Sequence, residues 1–174
     1  MSHTESSATL PIAHAVLRVL IVLNWLSGAA ILILLLLSPN REWLMSAFKL
    51  VPGPDADRLI LGFRAVAVAG LAAVPLNYIV LSRLLAIVGT VRAGDPFVAE
   101  NAQRLQAIAW SLLGVQVLSM IIGSIGKSIS TPAHPVVLDA GFSINGWLAV
   151  LLTFVVARVF AEGTRLRDDL EGTV

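Results

Sequence analysis

Residues 15–37 read AVLRVLIVLNWLSGAAILILLLL, and the last seven of these are all apolar before Ser38-Pro39-Asn40 interrupts the run. As a helix, a predominantly apolar stretch of about twenty residues crosses a hydrocarbon core of about 30 Å. A helix also satisfies its backbone groups within one segment, which lipid requires. We therefore interpret residues 15–37 as a membrane-spanning helix.

Three further stretches have the same character, namely residues 59–81, 107–125 and 143–161. The composition agrees, because only 13% of the residues are charged and 57% are hydrophobic, whereas soluble domains are roughly 25% charged. The period-two alternation of a membrane barrel is absent. The predicted fold is all-α, an integral membrane four-helix bundle in a single domain over residues 15–174, preceded by a disordered tail at residues 1–14.

The second and fourth helices are predicted to extend beyond the membrane. No helix breaker separates residues 81 and 91, so the second helix should continue to Gly94. Asp95 is expected to be the N-cap of the third helix, with Pro96 at its first position. The result is a cytoplasmic helical hairpin between helices 2 and 3. The fourth helix should continue through residues 164–170 as a C-terminal helical extension.

The basic residues indicate the orientation. Four spans place both termini and the hairpin on one side of the membrane. That side would hold seven basic residues: Arg18, Arg83, Arg92, Arg104, Arg158, Arg165 and Arg167. The other side would hold five: Arg41, Lys49, Arg58, Arg64 and Lys127. Basic residues concentrate in cytoplasmic loops, so both termini and the hairpin are predicted to be cytoplasmic.

The segment between the first two spans is expected to contain a short helix. Over residues 41–51, apolar side chains recur on one helical face (Trp43, Leu44, Ala47, Phe48 and Val51). Such a helix would lie on the outer membrane surface. An irregular loop is the alternative interpretation.

The sequence offers no recognisable catalytic or metal site. Cysteine is absent, which excludes disulfides and thiolate ligands. His14 and His134 would lie on opposite sides of the bilayer, about 30 Å apart. No phosphate-binding glycine loop or nucleophile elbow occurs. We expect no enzyme activity, no catalytic residue, no metal and no cofactor, and the net charge of +1 gives no case for direct nucleic-acid binding.

One arginine inside a predicted span has a potential functional role. A charge at membrane depth is costly, so Arg64 must either pair or reach the interface. Its possible partners are Asp55, Asp57 and Asp139. Snorkelling of the long side chain to the interface is the favoured interpretation.

Neutral polar residues within the spans have two interpretations. Asn24, Asn77 and Gln116 would each form hydrogen bonds between helices, which is the usual role of such groups. Alternatively, the three could line a small ligand cavity.

Two polar segments resemble a known family. Residues 91–97 (VRAGDPF), followed by Glu100-Asn101 and Arg104-Leu105, form the first segment, and residues 160–163 (FAEG) with 166–174 (LRDDLEGTV) form the second. Together with the four spans, they resemble the family catalogued as domain of unknown function 2975. The resemblance implies a bacterial inner-membrane protein, often encoded beside a small helix-turn-helix regulator, with no established activity.

Three functions are consistent with these features. The first is docking or signalling to a small cytoplasmic partner, such as a helix-turn-helix regulator. The candidate contact residues are Arg92, Asp95, Glu100, Arg104, Arg165, Arg167, Asp168 and Asp169. In the alternative interpretation, these charges only solvate helix ends and fix the topology. The second is small-ligand binding or transport, although no acidic residue lies mid-span to relay protons. The third is a structural subunit of a larger membrane complex. The composition itself predicts the lipid bilayer as a partner, and the chain could also form an oligomer.

Overall fold

The computed structural model describes residues 6–48, 53–131 and 135–171. Five helices and no strand occur in these ranges: α1 (Ser6–Leu37), α2 (Arg41–Phe48), α3 (Pro54–Arg92), α4 (Ala99–Ile129) and α5 (Ile144–Glu171). All of them except α2 are long and apolar enough to cross a membrane. The predicted all-α fold with four candidate spanning helices is therefore confirmed.

The helices are longer than the predicted spans. α3 has 39 residues and is about 58 Å long, so it exceeds a hydrocarbon core of about 30 Å by nearly a factor of two. At its N-terminal end, α1 begins at Ser6, inside the segment expected to be a disordered tail, because Leu10, Ile12 and Ala13 continue the apolar helical pattern. Residues 1–5 of that tail lie outside the described residues.

The four long helices pack as a row in chain order. α1 packs on α3, α3 on α4 and α4 on α5, and no other pair of described helices packs extensively. Most buried apolar side chains belong to the central helices, including Leu59 and Val74 on α3 and Ile108 and Ala109 on α4. The terminal helix α1 exposes most of its apolar surface, which a bilayer covers at no cost.

The junction between α1 and α3 combines polar and aromatic contacts. The Asn24 side-chain amide donates a 3.1 Å hydrogen bond to the carbonyl of Val74, immediately before Pro75. One turn further along α3, the rings of Trp25 and Tyr78 lie with their centroids 5.5 Å apart. Further along α1, Gly28 approaches Val74 and Ile31 approaches Gly70, so α1 runs antiparallel to α3.

The junction between α4 and α5 corrects one expectation. The predicted third span ends at residue 125, but α4 continues through the sequence GSIG at residues 123–126 to Ile129. A Cβ atom on Gly123 would lie 2.6 Å from the carbonyl oxygen of Ala140. The glycine therefore allows the segment before α5 to lie against α4, where Ser119 Oγ accepts a 3.1 Å hydrogen bond from the Gly141 amide.

The predicted short helix between the first two spans is observed as α2. Asn40 caps it, since its Oδ1 accepts a 3.0 Å hydrogen bond from the Trp43 amide. Leu44 is buried and Trp43 is exposed. The side chains of Ala47 and Phe48, and Val51 altogether, lie outside the described residues.

Candidate functional site

The turn between α3 and α4 begins with Gly94, the residue after the C-cap Ala93. Gly94 has a φ of 88°, in the left-handed region that favours glycine. The Gly94 amide donates to the Val91 carbonyl at 3.1 Å, and the Asp95 amide donates to the Thr90 carbonyl at 3.2 Å. This pair of bonds is the Schellman motif. It ends α3 at Arg92, close to the Gly94 boundary expected from the sequence.

The expected N-cap role of Asp95 is wrong. α4 begins at Ala99, its N-cap is Val98 in an extended conformation, and no side chain caps it. The cause lies in Asn101, whose Nδ2 donates to the carbonyl of Pro96 at 2.8 Å. With that carbonyl held by a side chain, residues 95–98 stay outside the helix, and Val98 is extended.

Asn101 is the centre of a buried polar network under the turn. Its exposed fraction is 0%. Besides Pro96, its Nδ2 donates to Thr90 Oγ1 at 2.7 Å, and its Oδ1 accepts from Arg104 Nη1 at 2.7 Å. The network ties both helices of the hairpin to the turn. Sequence reasoning included Asn101 in the family motif but did not single it out, because its contact with Thr90 becomes visible only in three dimensions.

The turn is joined to the C-terminal part of α5 by two contacts. Arg167 Nη1 lies 2.8 Å from Asp95 Oδ1. The rings of Phe97 and Phe160 stack with their centroids 5.4 Å apart. The two segments that carry the family resemblance therefore form one surface, which we call the polar end and define as residues 92–104 and 160–171.

Most of the predicted contact residues are accessible on the polar end. Arg104 is half-buried through its bond to Asn101, and the side chain of Asp168 lies outside the described residues. The exposed members are Arg92, Glu100, Arg165, Arg167 and Asp169, and the Asp95 carboxylate is about half exposed. Arg165 also lies 3.9 Å from Glu162 one turn earlier on α5.

A groove between α4 and α5 adjoins the polar end. It has a volume of about 440 Å³ and is lined mainly by alanines and glutamines, together with Phe154 and Thr164. Two arginines, Arg158 and Arg165, line it as well, and none of its lining residues is acidic. Both charged residues of its lining are therefore basic, and Glu162 lies beside Arg165 just outside the lining.

The in-span polar residues lie at separate junctions. Asn24 bonds across the α1–α3 junction, whereas Gln116 lies 3.4 Å from the Ser143 carbonyl at the start of α5 and packs against Gly146. Asn77 has no hydrogen-bond partner within the part of the chain that the structure describes. The structure brings none of the three together, and none lines the groove between α4 and α5 or the cavity beside Arg64.

Arg64 pairs with no carboxylate among the described residues. Its Nη2 donates to the carbonyl of Ser38, at the negative end of the α1 helix dipole. Across residues 6–48, 53–131 and 135–171, no salt bridge links it to Asp55, Asp57 or Asp139. It lines a cavity of about 310 Å³ together with residues of α1, α2, α3 and α4. Nowhere in the same ranges do three or more His, Cys, Asp or Glu residues group as metal ligands.

Comparison with known proteins identifies the family. A search of curated proteins and a search of solved structures each gave no match. The family described as "Protein of unknown function (DUF2975)" matches residues 14–174, nearly the whole chain and both segments of the polar end. The chain therefore belongs to the DUF2975 family.

Proposed function

We propose that this protein is a non-enzymatic, multi-pass membrane protein that docks a small soluble partner, such as a helix-turn-helix regulator, at its polar end. One observation supports the proposal above all. The Asp95–Arg167 ion pair and the Phe97–Phe160 stack unite the α3–α4 turn and the end of α5 in one surface. If the charges served only to solvate separate helix ends, no contact between the turn and the end of α5 would be required.

The conformation of the turn also supports docking. Because Asn101 is fully buried and its bonds fix both the turn and Arg104, the turn has one defined shape. A defined shape reduces the entropy lost on association. Exposed charges that only fixed topology would function equally well on an irregular loop.

The chemistry of the adjoining groove suggests the type of partner. A groove between two helices accepts an amphipathic helix. Arg158 and Arg165 are the charged residues in its lining, so a partner helix with acidic side chains would complement it. We propose that the partner places such a helix at the end of this groove next to the polar end, beside Arg165.

The proposed location is the inner membrane of a bacterial cell, with both termini and the polar end in the cytoplasm. The excess of basic residues on that side supports this orientation. The absence of cysteine makes it directly testable with single cysteines at exposed Ala93 and Ser128. In intact cells, an impermeant maleimide should label Ser128→Cys and not Ala93→Cys. Labelling of Ala93→Cys alone would place the polar end outside and contradict a cytoplasmic partner.

Co-purification with the regulator tests the docking itself. The full chain and a variant lacking residues 162–174 would be co-expressed with a candidate helix-turn-helix regulator and solubilised mildly. We expect the full chain to retain the regulator, and both the truncation and Arg165→Glu to lose it. Lys127→Glu, an exposed charge reversal at the far end of α4, is the matched control. Equal recovery from all four proteins would refute the proposal.

A further inference from the structure

A second feature lies at the other end of the molecule, away from the polar end. The cavity of about 310 Å³ is bounded by α1, α2, α3 and α4. Every residue that lines it is apolar except Ser38 and Arg64. Its volume lies at the lower end of the range of small-molecule sites, roughly 300–1,000 Å³.

The arginine in this cavity is incompletely satisfied. Of the donor atoms in its guanidinium, Nη2 alone has an acceptor among the described residues, the carbonyl of Ser38. Nε is buried and donates to no described atom. A full positive charge in apolar surroundings, with one carbonyl as its partner among the described residues, favours an anion beside it.

The cavity has a charged end and an apolar end. Ser38, Arg64 and the exposed Trp43 lie where α1 ends and α2 begins, and tryptophan is typical of the membrane interface. Ile31 and Gly70 lie about 10 Å further along α1 and α3, toward the middle of the spans. This arrangement suits a ligand with a charged head group and an apolar tail.

We propose that this cavity binds one anionic phospholipid, with its phosphodiester at Arg64 and one acyl chain directed toward Ile31 and Gly70. Guanidinium donors match phosphate oxygens in pairs. The apolar lining lies between spanning helices, so the ligand reaches it from the leaflet and not from water. A small soluble anion would gain nothing from the apolar residues.

Native mass spectrometry of the detergent-purified full chain tests this inference. The protein would be titrated with phosphatidylglycerol, phosphatidylcholine and inorganic phosphate in parallel. We expect one tightly retained phosphatidylglycerol per chain, with about tenfold weaker retention of phosphatidylcholine. Arg64→Gln should weaken phosphatidylglycerol by about tenfold, whereas Arg64→Lys should keep most of the preference.

Two further variants separate the site from general charge and from folding. Arg18→Gln removes another arginine, exposed on α1, and should leave binding unchanged. Gly70→Leu keeps the charge but fills the apolar end, where a Cβ alone would already lie 3.6 Å from Ile31 Cδ1; it should weaken binding even if Arg64→Gln fails to fold.

Three results would overturn the proposal. Equal retention of both phospholipids would show that Arg64 does not select charge. Displacement of phosphatidylglycerol by equimolar inorganic phosphate would indicate a small-anion site. Lipid-free dimers in wild type, lost in Gly70→Leu, would assign the cavity to a second copy of the chain.

Discussion

Arg167 donates to Asp95 at 2.8 Å across 72 positions of the sequence, and this contact ties the C-terminal helix to the turn between α3 and α4. Both side chains are about half exposed, at 46% and 49%. Water screens such a pair, and exposed ion pairs contribute about 0.2–1 kcal/mol to stability. The ion pair therefore contributes little to the free energy of unfolding, and its role is to position the end of α5 against the turn.

Reversing the charges should loosen the end of α5 without unfolding the protein. We expect Arg167→Asp to place two carboxylates face to face and to speed amide hydrogen exchange over residues 160–171. The double variant Asp95→Arg with Arg167→Asp should restore the slow exchange. Lys127→Glu is the control for a general charge effect. Unchanged exchange in the single variant would show that the Phe97–Phe160 stack holds α5 alone.

Asn101 should contribute more to stability than any exposed charge of the polar end. It is fully buried, and Asn101→Ala leaves the Pro96 carbonyl and the Arg104 guanidinium without their partner. An unsatisfied buried group costs about 1–3 kcal/mol, so we expect a loss of about 2 kcal/mol in denaturant unfolding of the micellar protein. The exposed Gln103, two positions away on α4, gives the matched control Gln103→Ala. Equal stability of both variants would contradict the network.

Asn24 and Asn77 should respond differently to the same substitution. Asn24 bonds across the α1–α3 junction, and Asn77 has no partner in the described ranges. Hydrogen bonds between membrane helices contribute about 0.6–1.7 kcal/mol. Asn24→Leu should therefore lower the free energy of unfolding by about that amount, and Asn77→Leu should leave it unchanged or raise it. A larger loss in Asn77→Leu would reveal a partner outside the described residues.

The sequence predicted the elements that depend on local composition. The four spans, the short helix after Asn40 and the end of α3 near Gly94 follow from apolar runs and from helix-breaking residues, which act within a few positions. The start of α4 could not be predicted in this way. Asp95-Pro96 is a favourable helix start locally, but α4 begins at Ala99. The Pro96 carbonyl accepts a bond from Asn101, whose side chain also bonds to Thr90 on α3, a contact between helices that a local pattern does not reveal.

The residues of the polar end could be predicted from the sequence, but the contacts between them could not. Its charges are visible in the sequence as two separate segments. The pairing of Asp95 with Arg167 is not visible, because the sequence contains several acidic and basic residues and gives no rule for choosing which of them pair. Arg64 shows the same limit: the sequence offered three aspartates as partners, and the structure provides a backbone carbonyl instead.

Gly123 tests whether the segment before α5 must lie against α4. A Cβ at this position would approach the backbone of Ala140 at 2.6 Å and Gly141 Cα at 2.8 Å, and backbone cannot rotate away as a side chain can. Gly123→Ala must displace the segment and strain the bonds between Ser119 and Gly141. Overpacking of this kind costs about 1–3 kcal/mol, which should appear as reduced thermal stability in detergent.

Gly89 is the control, since it lies in α3 with nothing within 4 Å of its would-be Cβ. Gly89→Ala should stabilise by up to about 1 kcal/mol through helix propensity, so identical gains at both positions would mean that the segment does not approach α4.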